Sequence, residues 1–483
     1  MFLSVFVISL VLVFAAYTAL ILNSDGKHVP WLRDIQFYKQ QMLKEKEGNR
    51  LVVLSGSNSM FGVNSDLLGQ LTGREVVNLS SHADIDITYY LYLIKKYGKK
   101  GDLFVMPLEF AYYRREDFSK FFVWQMLYWG GRDFVMNADL LDGFKFFTSI
   151  PPSTVFSNML LDDAPYGEEN QKDVYDRVQD YLVKNGSEWR GYYSSSLNLA
   201  GDILVNKPSE TGLVKVYAEG ADYSWGGDLS GHFSSTMRKI YQYAESEGIR
   251  VVLTWPAMLR NKAFHFGLSE SRKSLTQLGD KLELNGTPVH CNAGNFLYGV
   301  DFFFNDQYHL NAMGANLHTK KLAECLSRIE ANTVEPVSDP RVANALIVAE
   351  ERLLINRVLK TSDGYSVRRE HLFNLLAALD RYHADNGQYP LSKDWDGVNS
   401  AWGKASEEWI NGLAPKYIAE LPKDPGVPKE GRGYLYKSDG VDYKLLAHYP
   451  EDCALVEKHF PRSIDPMRNC WAYGYWTEGG KNW

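Results

Sequence analysis

The sequence predicts an α/β protein: a three-layer parallel sheet with helices on both faces, an N-terminal transmembrane helix, and a smaller α+β domain at the C-terminus. Three observations carry this. Short apolar runs alternate with stretches of helical spacing over roughly the first 330 residues, as strands joined by crossover helices do. Phe2 to Leu22 is an uncharged apolar run of 21 residues, and about 20 are needed to span a hydrocarbon core. Pro336 and Pro340 punctuate the chain before a new helical pattern begins.

Taken in order, residues 1–23 read as the anchor and 24–47 as a charged, membrane-proximal helix from Trp31 to Glu47 leading away from the membrane. Ala15, Ala16 and Ala19 keep a cleaved signal peptide open as the rival to an anchor. Residues 48–334 read as a catalytic domain. Its strands are Leu51 to Leu54, Val76 to Leu79, Asp102 to Leu108 and Ile249 to Thr254, with Val289 and His290 as a further one. Helices are expected over Ser65 to Leu71, Ile85 to Tyr97, Gly231 to Glu247, Ser269 to Leu282 and Ala312 to Ala331. An insertion over about 118–225 breaks the rhythm. It holds an aromatic crowd (Phe121, Phe122, Trp124, Met126, Leu127, Tyr128, Trp129) and then an acidic stretch with Asp162, Asp163, Glu168 and Glu169. Residues 335–364 read as a linker helix and 365–483 as the second domain. There, helical spacing ends at Asn386-Gly387, and the run from Tyr434 to Leu446 reads as a β-hairpin. Loops around Asp424 and Asp439 are acidic enough to be weighed for calcium, against plain solvated loops.

A chain of 483 residues exceeds one ordinary core. The net charge of −7 gives no basic footprint, which excludes nucleic acid as the expected partner. Of the four cysteines, Cys291 with Cys325 and Cys453 with Cys470 form one pair per domain, and export would allow each to be a disulfide. There is no CxxC and no metal-ligand spacing, so no metal and no cofactor is expected.

The chemistry is carried by two segments about 250 residues apart. Leu51-Val52-Val53 runs into the small-residue turn Ser55-Gly56-Ser57-Asn58-Ser59, the way an α/β strand exposes a nucleophile. Asp306-Gln307-Tyr308-His309-Leu310-Asn311 offers a base and its orienter. Ser57, with Ser59 second, is the candidate nucleophile, His309 the base and Asp306 the orienter of a relay that makes a hydroxyl nucleophilic at neutral pH. A turn-forming serine and a capping Asp/His pair is the plain alternative.

These segments resemble the SGNH (GDSL-like) hydrolase superfamily. Ser55-Gly56-Ser57-Asn58 stands for its serine turn, and Asp306, His309, Leu310, Asn311 and Gly314 for its last block. The resemblance covers about 48–330 and implies a flavodoxin-like sheet with an oxyanion hole built from the nucleophile's N–H, a Gly and an Asn. This chain offers Ser80 and Ser81 in place of the Gly and has no Asn after Pro107-Leu108-Glu109. Ser57, Ser81, Asn58 and Asn78 are therefore the candidate oxyanion donors. An anchor before such a domain resembles the envelope acyl-handling proteins that work beside a multi-pass membrane O-acyltransferase. That implies a cell-membrane protein with its domain periplasmic or extracellular, receiving an acyl group from such a partner and O-acetylating an exopolysaccharide or envelope glycan. A carbohydrate esterase with the same triad, and a non-catalytic binding protein with a degenerate domain, are the alternatives. From Leu372 to about Gly479 the chain resembles the globular part of type II secretion pseudopilins, in Asn386-Gly387-Gln388-Tyr389-Pro390, Leu421-Pro422-Lys423-Asp424-Pro425 and Trp471-Ala472-Tyr473-Gly474-Tyr475-Trp476. That implies a recognition or docking module.

Overall fold

A computed structural model describes residues 2–22, 30–126, 129, 131–151, 153, 170–207, 220–333, 335–358, 363–398, 403–425, 433–450 and 452–483. The chain divides into two compact units, Met1–Ser338 and Asp339–Trp483.

In the first unit β1 (Arg50–Val53), β2 (Glu75–Asn78), β3 (Leu103–Pro107) and β4 (Arg250–Thr254) form a wholly parallel sheet in the order β2-β1-β3-β4. Leu253 bridges in parallel to Val289 at its far edge. Every residue of β1 and β3 is buried, so their unbroken apolar runs suit strands covered on both faces. The step from β1 to β2 goes one way along the sheet and the step from β2 to β3 returns past β1. Right-handed crossovers then place the helices Ser65–Thr72 and Ile87–Tyr97 on opposite faces. The helix Ala312–Glu330 packs with Ser57–Gly62 and Ser65–Thr72, and the helix Gly231–Glu247 packs with Ile87–Tyr97, which completes the two layers. A small parallel pair, β5 (Met258–Leu259) and β6 (Leu297–Tyr298), lies outside the main sheet. At the start of β1, buried Arg50 pairs with buried Asp102 (Nε to Oδ1, 2.9 Å) and donates to the carbonyls of Leu43 and Tyr97.

One expectation is overturned. Among the described residues no helix is long and apolar enough to cross a membrane, so the predicted transmembrane helix is corrected. Phe2–Leu22 is helical, but it docks on the insertion: the Phe14 ring lies 5.4 Å from Phe144 and 6.2 Å from Phe147, and the Tyr17 hydroxyl donates to the Ile150 carbonyl at 2.6 Å. Ile8, Val11, Leu12 and Val13 remain exposed. The helix Pro30–Glu45 is packed into the first unit, with Leu32, Ile35, Tyr38 and Leu43 wholly buried. Its polar residues are used inside. Lys39 Nζ donates to the Ser80 carbonyl at 2.6 Å, Gln36 to Ser81 Oγ at 2.6 Å, and Gln40 to the Tyr89 hydroxyl at 2.9 Å.

The insertion is a packed subdomain where it is described. Phe118, Phe122, Phe134 and Phe146 contact one another edge-on or tilted, and the helix Gln171–Asn185 packs along Pro30–Glu45. Leu127, Tyr128 and the acidic residues Asp162, Asp163, Glu168 and Glu169 lie outside the described residues.

The second unit opens with the helices Pro340–Val358 and Asp363–Asn386. Its sheet joins β7 (Asp396–Gly397), β8 (Tyr434–Ser438), β9 (Tyr443–His448), β10 (Ile464–Asp465) and β11 (Asn469–Trp476), all pairs antiparallel, in the order β10-β11-β9-β8-β7. Gly387, at φ +71°, takes the left-handed turn that ends the long helix. Buried Asp424 pairs with Arg368 at 2.9 Å, and Asp439 accepts from the Val441 and Asp442 amides. Both carboxylates are thus engaged within the fold. Disulfides join Cys291 to Cys325 and Cys453 to Cys470. Cys453, Glu457 and Cys470 are the one grouping among the described residues with metal-ligand atoms in range, and both of its sulfurs are in the disulfide.

Candidate active site

Three strand ends build the site, at the carboxyl edge of the sheet where its order switches direction. β1 delivers Ser57, β2 delivers the loop 79–84, and β3 delivers Glu109. Ser57 begins the short helix Ser57–Gly62. The turn before it is held from below by the wholly buried Glu109 carboxylate, which accepts from the Gly56 amide and the Asn58 amide, each at 3.1 Å. Burial pushes the Glu109 carboxyl above its usual value, against the pull of the donors around it. A Cβ on Gly56 would stand 2.6 Å from the Ala83 Cα and would collide with Glu109, so the turn requires glycine for space alone.

His309 comes to this turn from the far end of the unit. Its Nε2 lies 2.8 Å from Ser57 Oγ, and its Nδ1 lies 2.9 Å from Asn305 Oδ1. The Tyr192 hydroxyl also lies 3.5 Å from Nδ1, and the Phe61 ring stacks on the imidazole at 4.3 Å. With the amide oxygen of Asn305 accepting from Nδ1–H, Nε2 is left bare to take the Ser57 proton. That is the tautomer a general base needs.

The orienter differs from the one expected. Asp306 Oδ1 accepts the Tyr308 amide at 2.9 Å, closing an Asx turn, and its carboxylate makes no hydrogen bond to His309. Its charge still acts on the ring. Burial drives the His309 pKa down to about 4, the Asp306 charge opposes this, and a charge on His82 would add to it. The residue that the sequence reading missed is Asn305. Its only signal was adjacency to Asp306, and the Asp-x-x-His spacing drew attention past it.

This geometry sets an expected result. Because the base works as the neutral imidazole, a lowered pKa keeps it competent in acid. Ester turnover should hold level from pH 8 to about 6 and fall only as His309 charges, below the ordinary histidine value of 6.5. Asn305→Asp places a carboxylate at Nδ1 and should raise that acid limb by about 1–3 units. Asn305→Leu removes the tautomer lock and should cost on the order of 10²-fold or more, whereas Asp306→Asn should change the rate by only a few fold. A pH–rate profile of the three variants decides it; a large loss in Asp306→Asn with none in Asn305→Leu would restore Asp306 as the orienter.

The candidate oxyanion donors separate. Asn58 spends both amide hydrogens on Ser55 Oγ (2.7 Å) and the Pro107 carbonyl (2.9 Å). Asn78 donates to the Ser59 carbonyl at 2.8 Å and to Asp202 at 2.9 Å. The Ser81 amide donates to the Ser55 carbonyl at 3.3 Å. None of the three is left to face a substrate, and only the Ser57 amide remains. Ser59, the second candidate nucleophile, is wholly buried and donates to Asn58 Oδ1 at 3.1 Å. The hydrogen bonds of Asn58 and Asn78 make them struts of the turn, not catalytic groups.

Around the pair stands an aromatic wall. Tyr192 lies 5.6 Å from Trp31 and 5.4 Å from Trp189, and Trp31 lies 6.4 Å from His82, which stacks on Phe121 at 4.4 Å. The wall comes from the helix Pro30–Glu45, the β2 loop and the insertion, so three distant stretches of sequence meet there. No family model matches this chain, and no curated protein is significantly similar to it.

Proposed function

We propose that this protein is an exported SGNH-like serine acyltransferase that O-acetylates an exopolysaccharide or envelope glycan. The observation that carries the reading is the Ser57 Oγ–His309 Nε2 contact at 2.8 Å, with Nδ1 held by Asn305, at the carboxyl edge of a parallel sheet. In the reaction Ser57 Oγ attacks the acyl carbonyl as its proton passes to His309 Nε2. The tetrahedral oxyanion collapses, and the leaving group takes the proton from His309. A sugar hydroxyl then attacks the acyl-enzyme, gives its proton to His309, and leaves as the ester while Ser57 is restored. The aromatic wall supports a sugar acceptor, since ring faces stack on sugars and limit water. The two disulfides support an oxidising compartment. The acyl donor fits a multi-pass membrane O-acyltransferase partner. A long helix followed by an antiparallel sheet in Asp339–Trp483 supports the pseudopilin-like docking module.

The test is covalent. A fluorophosphonate should add once to the wild-type protein, at Ser57, by intact mass and peptide mapping. With an activated acetyl ester as donor, adding oligosaccharide acceptors should then divert acetyl from water to sugar. Labelling with hydrolysis alone would leave a carbohydrate esterase. No label on Ser57 would overturn the acyl chemistry and leave a binding protein.

A further inference from the structure

Resting on that reading, we propose that His82 is a catalytic residue: its Nε2–H is the second oxyanion donor, paired with the Ser57 amide. The need comes from the site itself. Acyl transfer calls for two or three donors aimed at the developing charge. Asn58, Asn78 and the Ser81 amide are engaged elsewhere, which leaves one.

His82 has the position and the hydrogen. It sits in the loop after β2, one residue before Ala83, the residue packed against Gly56 beside the nucleophile. Its Nδ1 accepts the Asp84 amide at 3.1 Å, which puts the proton of the neutral ring on Nε2. No protein group accepts from that nitrogen among the described residues. The ring is fixed by Phe121, stacked at 4.4 Å, and by Trp31 at 6.4 Å, and Trp31 continues to Tyr192 and so to His309. Half-burial leaves it reachable by a substrate. Burial lowers the pKa of His82, so it donates as the neutral ring. As Ser57 Oγ bonds to the carbonyl carbon, the π pair moves to oxygen, and that oxygen accepts from Ser57 N–H and His82 Nε2–H. No proton leaves His82.

The experiment measures the second-order rate of fluorophosphonate labelling, and kcat with KM for an activated acetyl ester, in wild type, His82→Phe and His82→Gln. Phenylalanine keeps the stack without the donor; glutamine keeps a donor without the ring. His82→Phe should slow labelling and kcat about 10²-fold with KM little changed, and His82→Gln should recover a good part of that. Thermal melting of each variant checks the fold, and His82→Leu replaces His82→Phe if the latter melts early. Wild-type labelling of Ser57 with an unchanged rate in folded His82→Phe overturns the donor role and leaves the acyltransferase reading standing. A wild type that takes no label at all overturns both.

Discussion

Ser57→Ala, His309→Ala and the double variant should each lose about the same activity, on the order of 10⁴-fold or more against an activated acetyl ester. The two side chains act as one device. Nε2 accepts at 2.8 Å from the hydroxyl it must deprotonate, so either group alone has nothing to do: a serine without its base stays a weak nucleophile, and a base without the serine has no proton to take. Losses in such a unit do not add. Rate remaining in all three variants would come from substrate held beside the surviving donors. Single-turnover ester cleavage by the purified variants checks this. A double variant whose loss equals the product of the two single losses would mean that Ser57 and His309 act independently, and the relay would be wrong. Stability should move the other way. In the folded chain His309 charges near pH 4, but in the unfolded chain nearer 6.5, so protons bind the unfolded state first. The stability tied to a neutral His309 is full above pH 6.5 and is lost as pH falls toward 4. His309→Ala should therefore flatten part of the acid loss.

Much of this was legible in the residues, and the rest was not for identifiable reasons. The strands could be read because β1 and β3 are buried on both faces and written in unbroken apolar runs. Ser57 and His309 could be read because a turn that exposes a serine and a His ahead of a helix each leave a local signature. Asn305 could not, since which of two adjacent acceptors meets Nδ1 is fixed by the backbone of an Asx turn, and composition does not show that. The packing of the helix Pro30–Glu45 was not legible, because the partners of Gln36, Lys39 and Gln40, namely Ser81, the Ser80 carbonyl and Tyr89, are supplied from 40 or more positions away. Phe2–Leu22 misled for the converse reason. An apolar run can find aromatic partners in its own chain, here Phe144 and Phe147, and hydropathy alone cannot say so.

Glu109 is the clearest case of a residue whose meaning lies only in three dimensions, and its removal should be the largest single loss of stability around the site. In sequence it lies at the strand end where the resemblance fails, since the expected asparagine is missing there. In the fold it binds the turn that presents Ser57, taking the amides on either side of the nucleophile, Gly56 and Asn58, on separate oxygens at 3.1 Å each. The Ser57 amide lies between these two. Glu109→Ala strands two buried donors at about 1–3 kcal/mol apiece, or roughly 2–6 kcal/mol, and each kcal/mol lowers Tm by about 1–2 °C in a unit the size of Met1–Ser338. Glu109→Gln is the sharper variant because it keeps the shape. One of its two terminal atoms becomes an NH2 that must face an N–H donor, so one amide is lost and the other kept. It should sit between wild type and Glu109→Ala in Tm. Labelling of Ser57 should fall by about 10²-fold in both, because a nucleophile and donor displaced by about 1 Å cost that much. If Glu109→Ala melts within experimental error of wild type and labels at the same rate, the turn is held by Ser55, Asn58 and Pro107 alone, and Glu109 is a tolerated buried charge and not the strut of the site.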